Sequence, residues 1–518
     1  MVSATVLVPA NPAVLDRRLR EEVSRAPGVS VLSTPQVIRR SEFALLVLCV
    51  AILTAQMFAP PLIGLADNGD FAKVLGRVGL RKSAGENFQY FVSDYPHAAS
   101  WNTKVWYSET VPAWIAVRLQ KLVRGSQDFD IRYLAAVHAM IFVALYYFLL
   151  LLLRKLPTVP RVLLALLVLW VFTDVFYVAY FNSFYSDTMA LLSLLAMVVA
   201  ALHIVCRSPR PRLWWSIYAA AAIGFVTSKP QHAVWAIFPG AFAAAMNWRA
   251  SGLRRIFGAA LCLALLTLSL LEFTTLPGPM KAMPLFDVVF LKLTRAPSTR
   301  AQVLRDLRLP DSYAVYAGTS AWTPGSPIFD AEWRTRFYSQ ARPHLFWFYL
   351  SHPWLTARVI HDDLRLSAPY LRPPVLANYR REDGYPPGSL ARHFCSWSDL
   401  RAALFRAWPE HILLWYALVL AAAVVLIARG RSPVTRRLAA LGLGLALMGI
   451  GEFCFASLTD AAQTDRHLFL FHALTDLTVC FAAAGALEIC NTLTGAKPWS
   501  EWLPPPPGGR DAITGTNA

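Results

Sequence analysis

Two aspartates three residues apart, Asp67 and Asp70, open the stretch LADNGDFAKVLGRVGL (65–80), and two cations follow at Lys73 and Arg77. A carboxylate beside a phosphate-binding cation at a membrane edge suits one chemistry. It is transfer of a sugar from a lipid phosphate, with the carboxylate taking the proton of the incoming hydroxyl and the cations receiving the departing phosphate. The same residues have a plainer use. Asp67 as N-cap and an acid three positions on make a capping-box-like start, favoured by the helix dipole and contributing about 0.5–2 kcal/mol. A helix over roughly 68–78 then lines up Phe71, Val74, Leu75 and Val78 as one apolar stripe, with Asp70, Lys73 and Arg77 on another face. Such a helix is expected to lie flat in the membrane interface.

Three further polar clusters carry the same ambiguity. FNSFYSDT (181–188) offers Asn182, Tyr185, Ser186 and Asp187, groups suited to hydrogen-bonding a sugar or acceptor. Aromatics at a membrane boundary also form ordinary interfacial belts, and Ser186 or Asp187 suits a helix cap. In TSKPQH (227–232), Lys229 is a candidate for the donor phosphate or a snorkelling lysine. TDAAQTDRHLF (459–469) offers Arg466, which suits bidentate phosphate binding, and His467 as a sugar or acceptor contact; Asp465 can cap the following helix. Asp174, Glu452 and Asp476 fall inside apolar runs, where ionisable groups are expected to be functional.

The elements that must position these residues are membrane spans. The chain has 518 residues, 56% hydrophobic and only 16% charged, against about 25% charged in soluble domains. The expected class is all-α and polytopic, with about ten spans at 43–62, 133–153, 162–180, 188–206, 213–227, 232–246, 256–276, 411–428, 438–457 and 467–490. The connections RKLPTVPR, RSPRPR, NWRASGLRR and ARGRSPVTRR together hold thirteen Lys/Arg and no Asp or Glu. By the positive-inside rule they are cytoplasmic. Much of the net charge of +17 is therefore a topology signal, and no nucleic-acid partner is expected. All the polar clusters above then fall on the external face.

The organisation that follows is a basic cytoplasmic tail (1–42), an N-terminal transmembrane region of about seven spans (43–276) with an external loop at 66–132, a large external loop (277–410), a C-terminal region of about three spans (411–490), and a disordered cytoplasmic tail (491–518). Both long loops are expected to carry interfacial helices. In the larger one, RPHLFWFYLSHPWLTARVI reads as a helix interrupted before Pro353, and Glu382 and Asp383 beside Arg380 and Arg381 as solvated charge. An acceptor-binding or lid role suits a loop of that length. Of the seven cysteines only Cys395 lies in a long polar loop, so no external disulfide is expected. Nucleotide and zinc signatures of the Walker, dinucleotide, HExxH and CxxC kinds do not occur. No cofactor is required; the oxygens of DNGD could hold a divalent metal, which nothing in the sequence demands.

A first span followed by an external amphipathic helix with an acidic opening resembles the GT-C superfamily of membrane glycosyltransferases. NGDF and NSFYSD are similar to stretches in its bacterial glycan-biosynthesis hexosyltransferase (WsfD-like) type. The resemblance implies an inverting transfer on the external face of a bacterial inner membrane, from a polyprenyl-phosphate-linked sugar donor to a glycan or lipid-linked acceptor. An acidic residue of the first external loop would be the base, by motif position Asp70, with Asp67 second. Lys73, Arg77, Lys229 and Arg466 would face the donor phosphate. A transporter or flippase of a lipid-linked saccharide, or a lipid-linked glycan polymerase or ligase, are the alternatives. The first predicts a polar path through the span interiors and a related pair of halves, and no convincing repeat occurs.

Overall fold

Long apolar runs satisfy their backbone polar groups within hydrocarbon as helices, and helices dominate the chain. The structure is a computed structural model and describes residues 35–82, 88–101, 105–125, 127–250, 252–430 and 432–493. Most of the expected cytoplasmic tails thus lies outside the described residues.

Among those residues, seven helices are long and apolar enough to cross a membrane: Arg40–Met57, Arg132–Leu153, Asp187–Val205, Leu253–Thr274, His411–Arg429, Pro433–Thr459 and Phe469–Leu487. An eighth candidate is the pair Thr158–Phe172 and Val175–Asn182, bent by 51°. All eight coincide with expected spans. The other two expected spans, 213–227 and 232–246, meet shorter helices, Pro211–Val226 of 16 residues and Ile237–Asn247 of 11. At 1.5 Å per residue they reach about 24 and 16 Å, short of the roughly 30 Å hydrocarbon layer. The second is broken where Pro230 opens a one-turn helix, Pro230–Ala233, followed by a 3₁₀ turn at Val234–Ala236. The first helix, Pro35–Met57, starts earlier than expected and stops before 62, because Pro60 and Pro61 offer no N–H to continue it.

The Asp187–Val205 span is the centre of the bundle, with 78% of its residues buried, whereas Leu253–Thr274 and His411–Arg429 are 17% buried and form the rim. At one end of the bundle Arg154 Nε meets Glu42 Oε2 at 2.8 Å, Lys155 Nζ donates to the Cys206 carbonyl at 3.1 Å, and His203 Nε2 meets the Phe148 carbonyl at 3.0 Å. These contacts bring the connections that follow Leu153 and Val205 to the start of the first helix. The polar turns at 66–70, 182–187, 228–232 and 459–467 gather at the opposite end, as the contacts of the candidate site show.

The first long connection contains the helices Ala72–Val78 and Thr110–Arg124 and a short antiparallel ladder, Asp94–Tyr95 with Phe129–Asp130. The helix expected from 68 begins only at Ala72, with Phe71 at its N-cap. Its stripe of Phe71, Val74, Leu75 and Val78 is buried in the protein core, with Phe71 edge-on to Tyr185 at 4.8 Å. It therefore does not lie on lipid as expected. The helix with an apolar face left open is Thr110–Arg124. Ala113, Ala116 and Val117 are buried, while Val111, Trp114, Leu119, Leu122 and Val123 are exposed, the pattern of an interfacial helix.

The second long connection is folded rather than loop-like. Its first part, through Gly278–Asp287, a π-helical turn at Val288–Leu293, Ala331–Ser351 and Pro353–Leu366, builds a core of its own around Phe286, Phe290, Phe337 and Phe348. The expected interruption before Pro353 is present, with His352 between the two helices. Its last part, including the helix Ser396–Ala407, packs into the main core through Trp397 and Phe405.

Candidate active site

The DNGD turn fixes Asp67 and Asp70 differently. Asp67 exchanges two backbone hydrogen bonds with Gln89, at 2.7 and 2.8 Å. Its Oδ1 accepts the N–H groups of Gly69 at 2.7 Å and Phe71 at 3.1 Å, and its Oδ2 pairs with Lys82. Gly69, at φ 109°, supplies the positive φ that the turn requires. Asp67 thus caps the turn before the helix, and its carboxylate is buried.

Asp70 sits at the mouth of the bundle with its side chain 21% exposed. Oδ1 pairs with Lys73 and Oδ2 with Arg466 Nη1. Burial alone would raise this carboxyl, but Lys73, Arg466 and Lys229 outweigh it and hold it well below the ordinary carboxylate range. Lys73 Nζ also lies 5.8 Å from the Tyr107 ring centre.

Arg466 is the hub. Its guanidinium lies 5.3 Å from the Tyr185 ring centre, donates to Asn68 Oδ1 at 3.3 Å, and meets His467 Nε2 through Nη2 at 2.9 Å. Burial, then the charges of Arg466 and Lys229, keep the His467 imidazole well below its ordinary pKa. The ring is therefore neutral, and Nε2 accepts from Arg466. Its Nδ1 stands 3.3 Å from Asp460 Oδ2. Gln231 donates to the His467 carbonyl at 3.1 Å and also to Glu452, which Trp235 Nε1 bonds as well.

Lys229 joins this group but is not snorkelling. Its Nζ lies 2.9 and 3.0 Å from the two oxygens of buried Asp187, so Asp187 neutralises a lysine rather than capping its helix. Ser186 stands at the N-cap without a side-chain cap bond, half-buried at the mouth.

Besides Asp187, which is buried against Lys229 and not turned to a sugar, three candidates lie elsewhere than their expected roles require. Arg77 supports backbone, its Nε donating to the Val105 carbonyl at 2.9 Å. Asn182 is fully buried, its amide donating to the carbonyls of Met57 at 3.2 Å and Ile63 at 2.8 Å. It clamps the end of the first span rather than facing a sugar. Tyr185 is buried too, its hydroxyl between the Ala66 carbonyl and Asn68 Oδ1, both at 2.9 Å. It is a platform for Arg466. The half-buried polar groups left at the mouth are Asn68, Asp70, Lys73, Ser186, Lys229, Gln231, Gln463 and His467.

The intramembrane acids are held by fixed neighbours. Asp174 accepts the N–H groups of Phe176, Trp397 and Ser398 at 2.9, 3.0 and 2.9 Å. It caps its own short helix and the start of Ser396–Ala407 together. Asp476 accepts from Tyr177 at 2.6 Å, Trp397 Nε1 at 2.9 Å and Arg401 at 2.8 Å. Asp465 caps no span: its Oδ1 accepts its neighbour's N–H, from Arg466, at 2.9 Å.

Sequence reasoning passed over Lys292, Asp460, Asn68 and Tyr107. Lys292 Nζ bonds Asp363 Oδ2 at 2.6 Å, the Ser457 carbonyl at 2.9 Å, Thr464 Oγ1 at 3.2 Å and the Asp460 carbonyl. It fastens the unit built from Gly278–Leu366 to the turn that carries Arg466. Nothing local marks a lysine whose partners lie 71 to 172 positions away. Asn68 and Asp460 stand inside stretches that attracted notice for their neighbours. Among the described residues, no group of three His, Cys, Asp or Glu could hold a metal ion.

The family model described as "YfdI N-terminal transmembrane domain" matches residues 31–496. No curated protein matches. Among solved structures, the chain is similar to the archaeal oligosaccharyltransferase AglB from Archaeoglobus fulgidus in complex with an inhibitory peptide and a dolichol-phosphate, and to the Archaeoglobus fulgidus oligosaccharyltransferase in the apo form. Identity is 11% in both cases, with TM-scores of 0.35 and 0.37, over 88% of this chain and 52% of each of those. The chain spans about half the length of those proteins.

Proposed function

The chain belongs to the YfdI N-terminal transmembrane domain family, and we propose that it is a GT-C-type membrane glycosyltransferase, of the bacterial glycan-biosynthesis hexosyltransferase type. In this reading it moves a hexose from a polyprenyl-phosphate donor to a glycan or lipid-linked acceptor on the external face of the membrane. The observation that carries the reading is the Asp70 carboxylate. It is the one acid of the DNGD turn that reaches the mouth, and three cations surround it there.

The reaction runs as a single displacement. An acceptor hydroxyl gives its proton to Asp70 as general base. Its oxygen bonds the anomeric carbon while the bond from that carbon to the phosphate oxygen breaks, and the electron pair leaves with the phosphate. Attack opposite the leaving group inverts the anomeric centre. Lys73, Arg466 and Lys229 stabilise the charge that grows on the phosphate. His467, Ser186 and Asn68 are at hand for sugar or acceptor hydroxyls. The cations are side chains, so the step as written uses no metal ion and no cofactor.

The test is transfer by purified protein in lipid nanodiscs, from radiolabelled polyprenyl-phosphate hexose into a membrane extract. Asp70→Asn is expected to lose transfer by about 10²–10⁴-fold, the usual weight of a general base. Asp67→Asn is expected to keep transfer per folded molecule and to lower the unfolding temperature. Normal transfer by Asp70→Asn would remove the reading.

A further inference from the structure

Both oxygens of Asp70 are occupied in this structure. Lys73 holds one and Arg466 the other. These are also two of the cations that the leaving phosphate needs. As the pairs stand, they neutralise the carboxylate that must accept a proton, so the resting arrangement opposes the reaction.

The two cations are not equally fixed. Arg466 is walled in, its side chain 6% exposed, between Tyr185, Asn68 and His467. Yet among the described residues its buried Nε has no hydrogen-bond partner, so the guanidinium keeps a donor in reserve. Lys73 is 34% exposed at the outer side of the mouth, on a flexible stem. A planar guanidinium can hold two anions along two of its edges, and an ammonium moves readily to the stronger charge. The donor's phosphodiester carries one negative charge on two free oxygens, as the carboxylate does, and competes with it for both cations; the monophosphate that leaves carries more charge and competes better still.

We propose that Lys73 and Arg466 are shared between Asp70 and the donor phosphate, so that arrival of the phosphate uncovers Asp70 and the donor binds before the acceptor is deprotonated. This rests on the glycosyltransferase reading above. It gives the ion pairs a purpose beyond stability: an enzyme without donor holds no free base to activate water or a stray hydroxyl. It also makes the carboxylate and the phosphate antagonists. By linkage, whatever weakens one anion's hold on the cations strengthens the other's.

The experiment is equilibrium binding to full-length protein in nanodiscs of zwitterionic lipid, with a polyprenyl monophosphate as one probe and inorganic phosphate as the other. Asp70→Asn and Asp70→Ser are compared with wild type, two variants so that a folding defect in one does not decide the outcome. Both are expected to bind polyprenyl phosphate about tenfold tighter than wild type, within the usual span of coupling between sites, and Lys73→Met to bind it more weakly. Tightening for inorganic phosphate alone would overturn the lipid as the occupant. Saturable wild-type binding that is unchanged or weaker in both Asp70 variants would overturn the sharing while leaving the donor reading intact. No saturable binding of polyprenyl phosphate by any form would remove the donor reading, and the sharing with it.

Discussion

Asp67 and Asp70 are the same residue three positions apart, and their surroundings assign them different work. Asp67 is spent on two backbone N–H groups and Lys82, so its loss costs about 1–3 kcal/mol for donors left unsatisfied. Among the described residues, the Asp70 side chain bonds Lys73 and Arg466 and no backbone. His467 adds a prediction at the same scale. Its imidazole is neutral in the fold, below its ordinary value, through burial and the neighbouring charges of Arg466 and Lys229. The unfolded chain therefore binds a proton there that the folded chain refuses, below about pH 6.5. Stability must fall as pH drops through that value and be indifferent to His467 above it. Asp70 has its carboxyl depressed, so its contribution is present above about pH 4 and is lost only below that. Thermal unfolding in nanodiscs between pH 5 and 8 is expected to show a shallower slope for His467→Asn than for wild type on the acid side only. Superimposable pH profiles would contradict the placement of His467 against Arg466.

At the scale of elements, Lys292 joins two bodies of structure. The unit around Phe286 and Phe337 has its own core, and its lysine, paired with Asp363 of the same unit, reaches the end of the Pro433–Thr459 span through Ser457, Asp460 and Thr464. Asp363 is 9% exposed, so deleting the cation leaves a buried charge uncompensated, at a cost of about 3 kcal/mol. Lys292→Met is expected to speed amide exchange across Gly278–Leu366 while the bundle stays protected. Unchanged exchange there would show that the apolar contacts alone dock the unit. Elements also show where local reasoning failed. The stripe of Phe71, Val74, Leu75 and Val78 was legible as amphipathic, but periodicity does not say whether an apolar face meets lipid or protein. Phe71 meets Phe184 and Tyr185, which come from the turn at 182–187, more than a hundred residues on. The lipid-type face belongs instead to Thr110–Arg124, whose exposed Trp114 and Leu122 lie in a part of the first long loop where no particular helix is expected from the sequence.

At the scale of the whole molecule, the basic connections and the polar clusters lie at opposite ends of one bundle, which sets up a test of sidedness. In a background without native cysteines, Trp354→Cys, exposed on the unit expected at the external face, is expected to react with a membrane-impermeant maleimide in intact cells. Arg210→Cys, in an exposed basic turn, is expected to react only after permeabilisation. The reverse pattern would put Asp70 in the cytoplasm and end the external-site reading. Hydropathy and the thirteen Lys/Arg of the basic connections are local quantities, and the bilayer acts on each segment almost separately. That is why the class, eight of the ten expected spans and the two-ended order could be read from the sequence alone. It also set DNGD, the 182–187 turn, Lys229 and Arg466 on one face. Which of these groups touch, and which only brace the fold, was decided by tertiary structure. Asn182 and Tyr185 looked like sugar ligands and became buried supports, while Lys292 carried no signal and became a clasp. Contacts of that kind join positions up to 398 residues apart, as Arg466 and Asn68 are. Their formation depends on the shape of the whole bundle, which no single stretch of sequence contains.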